Sequence, residues 1–264
     1  LKSSKQHTIL KTQNLNIGYH TKNGTNTIAR DLNIEITSGE LVGLVGANGI
    51  GKSTLLRTIT KMQTALSGQV FINNSSINNI SLKELSQELS LVLTEPLQTK
   101  NLSVFELVAL GRHPYTNWIG SLTKEDTFQI NKALDLIGIT DLKDYRCFEL
   151  SDGQLQKAMI ARALAQDTKL IILDEPTTHL DMYHKAYILK LLQDLTKETG
   201  KTILFSSHEI DLAIQLCNTM IVMTEDQVHC NEPCVLIEDG VFDSLFPKDL
   251  ISFDKESGRF KINK

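Results

Sequence analysis

Long hydrophobic runs are missing from this chain: none approaches the roughly 18 apolar residues that a membrane-spanning helix needs. The N-terminal stretch LKSSKQHTIL lacks the apolar core of a secretory signal, so a cytosolic chain is expected. Cysteine is scarce, with four in 264 residues. That is too few for a disulfide framework in a chain of this length and agrees with a reducing compartment. His229, Cys230 and Cys234 of HCNEPC offer three soft ligands and no evident fourth, which favours an ordinary loop over a metal site. Positive charge is not in excess either. The formal net charge is -4 and the isoelectric point is near 6.0, which argues against a surface built for polyphosphate backbones. No nucleic-acid partner is expected. Internal repeats and low-complexity segments are also lacking.

What the chain does have is 41% hydrophobic residues, enough to bury a sizeable core in one large domain or two modest ones. Four short apolar runs, ELVGLVG, LSLVL, LIILDE and TILFSSH, end in polar or glycine-containing turns, as strands covered on both faces of a parallel sheet do. Helical spacing separates them. Leu55, Leu56, Ile59 and Met62 fall on one helix face, as do Leu155, Met159, Ile160 and Ala163. The alternation is that of an α/β fold with crossover helices. Earlier, TILKTQNLNIGYH and IARDLNIEITSGE alternate apolar and polar residues, with Leu32, Ile34 and Ile36 on one face, which predicts an antiparallel side layer. From about Asn101 to Asp144 the period is helical, interrupted by the turn-rich GRHPYTNWIG, so a helical insert is expected between strands. Beyond Gln227 only short strands and a terminal turn are expected.

Between the first of those buried strands and the first of those helices lies GANGIGKST, a G-x-x-x-x-G-K-[ST] phosphate loop in its proper context. Its residues Gly46, Ala47, Asn48, Gly49, Ile50, Gly51, Lys52, Ser53 and Thr54 are the candidate nucleotide-binding set. The glycines let backbone N–H groups point at phosphate oxygens, Lys52 adds a point charge, and the Ser53 hydroxyl can ligate Mg²⁺. LIILDE carries Asp174 and Glu175 to a strand end. One carboxylate there can hold Mg²⁺ through water while the next orients or deprotonates an attacking water, which makes Glu175 the candidate base.

With LSDGQ, Leu150 to Gln154, the order of motifs resembles the nucleotide-binding subunits of ATP-binding cassette (ABC) transporters. The likeness runs from about Thr8 to Leu216 through the phosphate loop, helical insert, LSDGQ, LIILDE, THLD and SSH. The resemblance implies a P-loop NTPase (RecA-like) α/β core with a mostly parallel sheet, an antiparallel β side layer and a helical subdomain. It implies one ATPase domain over 7–246, with the core in 7–95 and 159–225, the helical subdomain in 96–158, and a C-terminal tail over 227–264. It also implies ATP as substrate, Mg²⁺ as cofactor, and a homodimer in which the signature residues Ser151, Asp152, Gly153 and Gln154 close over the γ-phosphate held by the partner. Ser151 and Gln154 independently fit an S-x-x-Q capping box. Asp152 stands where the family usually has glycine. A carboxylate repels phosphate, so its side chain is expected to turn away.

Residue by residue, the resemblance places Tyr19 on the adenine, Asp181 in the loop that couples the two sites, and His208 on the γ-phosphate. Where the family's strand ends in a Mg²⁺-ligating glutamine this chain has Glu95, with Gln98 as the alternative position. SVFELVALGRHPYTNW and LSDGQLQKAMIARALAQDTKLIILDEPT resemble most closely the ATPases of bacterial iron-siderophore, haem and cobalamin importers. The implied partners are a separate integral-membrane permease, a second copy of the chain and, indirectly, a substrate-binding protein. The implied location is cytoplasmic, peripheral on the inner face of the cell membrane. Two other readings stand beside this one. The first is a soluble nucleotide-gated interaction module without a permease. The second is a P-loop kinase, which leaves LSDGQ unexplained.

Overall fold

The computed structural model describes residues 7–21, 24–94, 97, 100–246 and 249–263. Strands of alternating polarity open the chain: β1 (Thr8–Thr21), β2 (Gly24–Leu32) and β3 (Glu35–Thr37). Leu32, Ile34 and Ile36 are all buried, although the run divides into two strands that both pair antiparallel with β1. The chain then alternates: β4 (Leu41–Gly46), α1 (Lys52–Ile59), β5 (Ser67–Ile72), β6 (Ser75–Ser76), α2 (Leu82–Glu88) and β7 (Leu89–Val92). The helical insert follows as α3 (Val104–Ala109), α4 (Lys124–Ile137) and α5 (Asp152–Ala165), and the chain returns through β8 (Leu170–Leu173), α6 (Met182–Thr199), β9 (Thr202–Ser206), α7 (Ile210–Leu216) and β10 (Thr219–Met223). The tail comprises β11 (Val228–Asn231), α8 (Pro233–Glu238), β12 (Ile251–Asp254) and β13 (Arg259–Ile262).

Two larger sheets result. One is six-stranded, in the order β11-β10-β4-β9-β8-β7. All its pairings are parallel except β10 with β11. The other is the antiparallel side layer, β2-β1-β5-β6 with β3 on β1. The parallel strands are buried on both faces, and their period of two divides neighbouring residues between two cores. Val42, Leu44, Ile172 and Leu204 face the antiparallel layer and α1. Leu41, Val45, Ile171, Leu173 and Phe205 face the helical insert, α6 and α7. No helix among the described residues is long and apolar enough to cross a membrane.

The structure departs from the sequence reading at four places. α1 stops at Ile59 and Lys61 turns into the left-handed region (φ 60°), so Met62 is exposed rather than part of the helix face. The run TMIVM forms a fifth parallel strand, β10, beside β4. The tail contains a helix, α8, opened by proline at its first turn, where only strands and a turn were expected. α5 runs unbroken through the expected 158/159 seam, so one helix belongs both to the insert and to the core it packs on. In HCNEPC the sulfurs take different partners: the Cys230 thiol donates to the Glu35 carbonyl and the Cys234 thiol to the Glu232 carboxylate.

Candidate active site

Three neighbouring strands, β4, β9 and β8, end side by side and deliver the site at their C-terminal edge, where open parallel sheets bind ligands. β4 leads into the phosphate loop. A Cβ at Gly51 (φ 114°) would lie 2.4 Å from Ile28 Cγ2, and one at Gly46 (φ 155°) 2.6 Å from the Met223 carbonyl oxygen, so only glycine fits either position. The buried Lys52 ammonium donates to the carbonyls of Gly46 (2.8 Å) and Ala47 (3.1 Å), inside the loop. Burial lowers its pKa, while the nearby carboxylates of Glu175 and Asp174 pull the other way. A desolvated cation between backbone carbonyls at a helix N-terminus suits an incoming phosphate.

β8 carries the acids. Asp174 Oδ1 accepts from Ser206 Oγ (2.7 Å) and, more weakly, from Ser53 Oγ (3.4 Å), and the Ser206 hydroxyl accepts the Glu175 N–H (2.8 Å). The Ser53 hydroxyl and Asp174 carboxylate are hard oxygen donors converging beside Lys52, a set that suits Mg²⁺. Glu175 is in the left-handed region (φ 49°), a strained backbone for glutamate. Its Oε1 lies 2.6 Å from His208 Nε2 and its Oε2 accepts from the Thr178 hydroxyl at 3.1 Å. The Thr94 hydroxyl donates to the Asp174 carbonyl (2.9 Å) and so fixes the end of β7 beside the acids. Tyr19, at 41% exposure, hydrogen-bonds Thr54 through its hydroxyl (2.8 Å), which places its ring beside the head of α1.

The remaining sequence candidates form a second group. At the start of α5, Ser151 Oγ accepts from the Gln154 N–H (3.3 Å) and Gln154 Oε1 accepts from the Ser151 N–H (2.9 Å), which closes the capping box. Asp152 is exposed and lines a cleft of about 240 Å³ whose other wall includes Asp174 and Glu175. Asp181 caps α6: its Oδ1 accepts from the His184 N–H and lies 2.8 Å from His184 Nδ1. These hydrogen bonds hold its carboxyl below the usual range. The His184 ring packs on Gly153, since a Cβ there would be 3.2 Å from its Cδ2. The signature helix and the Asp181 turn are therefore in contact. Glu95 and Gln98 lie outside the described residues. Sequence reasoning missed Ser206, which links the two acids; its signal was a polar residue closing the otherwise apolar interior of TILFS, and it is fully buried.

Residues 29–178 match the family model described as ABC transporter. The iron(3+)-hydroxamate import ATP-binding protein FhuC of Bacillus subtilis (strain 168) is 39% identical, covering 83% of this chain and 80% of FhuC. The ferric enterobactin transport ATP-binding protein FepC of Escherichia coli (strain K12) is 36% identical, with 83% and 79% covered. The solved structure of CbiO1 from Clostridium perfringens, part of the ABC transporter complex CbiONQ, superposes with a TM-score of 0.78 at 31% identity, covering 89% of this chain and 92% of that one.

Proposed function

The chain belongs to the ABC transporter family as an ATP-hydrolysing subunit, and on that premise we propose that it energises uptake of an iron-siderophore, or else haem or a corrinoid, through a separate permease. The observation that carries the reading is the convergence of Lys52, Ser53, Asp174, Glu175 and His208 on one edge of the parallel sheet. Relatives named for ferric hydroxamate and ferric enterobactin favour siderophores within the class.

In this reading the phosphate loop and Lys52 hold the β- and γ-phosphates of ATP, and Tyr19 stacks on the adenine. Ser53 and Asp174 hold Mg²⁺, with Glu95 as a further oxygen donor proposed on sequence alone. Bound there, Mg²⁺ neutralises charge on the phosphate oxygens. Glu175 takes the proton of the attacking water, and His208 reaches the γ-phosphate while orienting Glu175. Ser151 to Gln154 of one copy close over the nucleotide of the second, with Asp181 joining the two sites. The permease sits in the broad groove of about 790 Å³ lined by Leu82, Leu110, His113, Trp118 and Ile119. Trp118 there is 93% exposed, an apolar surface of the kind that marks a protein interface. Relatives named for import favour transport over the permease-free interaction module. A substrate-binding protein acts on the far side of the permease, and this chain works at the inner membrane face.

The test is complementation. In a strain lacking the chain, uptake of labelled iron-siderophore should fall and wild type should restore it. Glu175→Gln should still bind ATP yet hydrolyse it about 100-fold more slowly or worse, and fail to restore uptake. Uptake of iron-siderophore, haem and cobalamin all unchanged by loss of the chain would sink the transport assignment. Normal hydrolysis by Glu175→Gln would sink the base.

A further inference from the structure

Glu209 follows His208 directly in the loop between β9 and α7, and its carboxylate is ion-paired with the Lys185 ammonium in the first turn of α6. Each side chain is 26% exposed, so the pair is screened less than an open surface pair. Lys185, Glu209, His208 and Glu175 line one small cleft of about 240 Å³. The two ends of the pair are anchored differently: the His208 loop is tied at its flanks, where the Ser207 N–H donates to the Leu44 carbonyl (3.0 Å) and the Glu209 carbonyl accepts the Ala213 N–H (3.0 Å). α6 is an 18-residue helix anchored in the core by Ile188, Leu189, Leu192 and Leu195. Within it, the Lys185 N–H bonds the carbonyl of the capping Asp181 (2.9 Å). The His208 loop belongs to no helix or strand, and its half-exposed imidazole is held among the described residues by its contact with Glu175. Inside the loop, the Glu209 N–H donates to Ser207 Oγ (2.9 Å), which fixes residue 209 to the residue on the other side of His208.

We infer that Lys185 and Glu209 are positioning residues for ATP hydrolysis: their ion pair pins the His208 loop to α6 and so holds the imidazole on Glu175. The inference rests on the roles given to Glu175 and His208 under the proposed function. Neither Lys185 nor Glu209 touches ATP in this account. Both act through the direction of the His208 ring, and a rigid link from α6 also ties that direction to the Asp181 turn at the same helix end.

Steady-state ATPase kinetics of the purified chain test it. Lys185→Met and Glu209→Gln should each lower kcat by about 5- to 20-fold while KM for ATP stays within about twofold, the split expected when positioning rather than binding is lost. The exchanged pair, Lys185→Glu with Glu209→Lys, should recover kcat to within about threefold of wild type, because contacting residues couple and the ion pair re-forms in reverse. Thermal unfolding of all variants should stay near that of wild type. Single variants with normal kcat, or an exchanged pair as slow as the singles, would overturn the pin. Glu175→Gln in the same assay separates the layers. If it stalls while Lys185→Met runs normally, the pin alone falls; if it hydrolyses normally, the base assignment underneath falls.

Discussion

Ser206 joins the two acids of the site through one hydroxyl, donating to Asp174 Oδ1 and accepting the Glu175 N–H at a position with no solvent exposure. The left-handed backbone of Glu175 is held by that bond together with the Thr178 and His208 contacts at its carboxylate. Ser206→Ala leaves the Glu175 N–H without its partner in the interior, at a cost of about 1–3 kcal/mol. Urea unfolding should show that loss as an earlier midpoint with an unchanged slope. The same substitution frees Asp174 and Glu175 to drift, so kcat should drop more than KM changes. Wild-type stability together with wild-type kcat would mean that the hydroxyl neither holds the strand end nor serves the chemistry. Lys52 and Glu175 were legible from their motifs because each motif is contiguous. Ser206 was not, because its partners stand 31 and 32 residues away in the chain.

At the scale of elements, the helical insert is knotted together by Asp126. Its carboxylate closes the capping box of α4 with Thr123 and accepts from Arg112 Nε at 2.9 Å. Arg112 in turn donates to the Ala165 carbonyl at the end of α5 and stacks on the Tyr115 ring. Both charged groups are almost fully buried. Burial pushes the Asp126 carboxyl up, but the hydrogen bonds from Thr123 and Arg112 outweigh it and hold the pKa below its ordinary value. Asp126→Ala strands a buried guanidinium, and the expected loss is about 3–5 kcal/mol in urea unfolding. Replacing both partners, Arg112→Met with Asp126→Leu, should cost less than the single change. A depressed folded pKa gives stability that is present above the unfolded value near 3.9 and lost as pH falls through the folded value. The gap between wild type and Asp126→Ala should therefore narrow below about pH 4. A constant gap would place the carboxylate's worth in packing alone. The insert was legible as helical from its period, whereas this tie was not, since Arg112 stands in the turn-rich stretch GRHPYTNWIG. α8 and β10 were missed because six and five residues carry too little period to separate helix from strand.

Across the whole molecule, the parallel sheet divides two cores, and the four cysteines report on how they close. Cys147 is buried in the insert. Cys217 lies under β4, where a Cβ at Gly43 would come within 2.9 Å of its sulfur, and burial pushes its thiol well up. Cys230 sits on β11 of the parallel sheet but donates to the Glu35 carbonyl of β3 in the antiparallel layer, so its sulfur spans the two sheets. Burial raises its pKa to about 11. Cys234 is exposed. Only the thiolate alkylates, so at pH 8 Cys230 is held mostly as the unreactive thiol even where reagent reaches it. Iodoacetamide at pH 8, read by mass spectrometry, should label Cys234 first and leave the other three until urea opens the cores. Raising the pH toward 10 should speed Cys230, since its thiolate population is still climbing there. Labelling of Cys230 as fast as Cys234 at pH 8 would mean that β11 and β3 part in solution, and with them the edge at which the antiparallel layer meets the parallel sheet behind the phosphate loop.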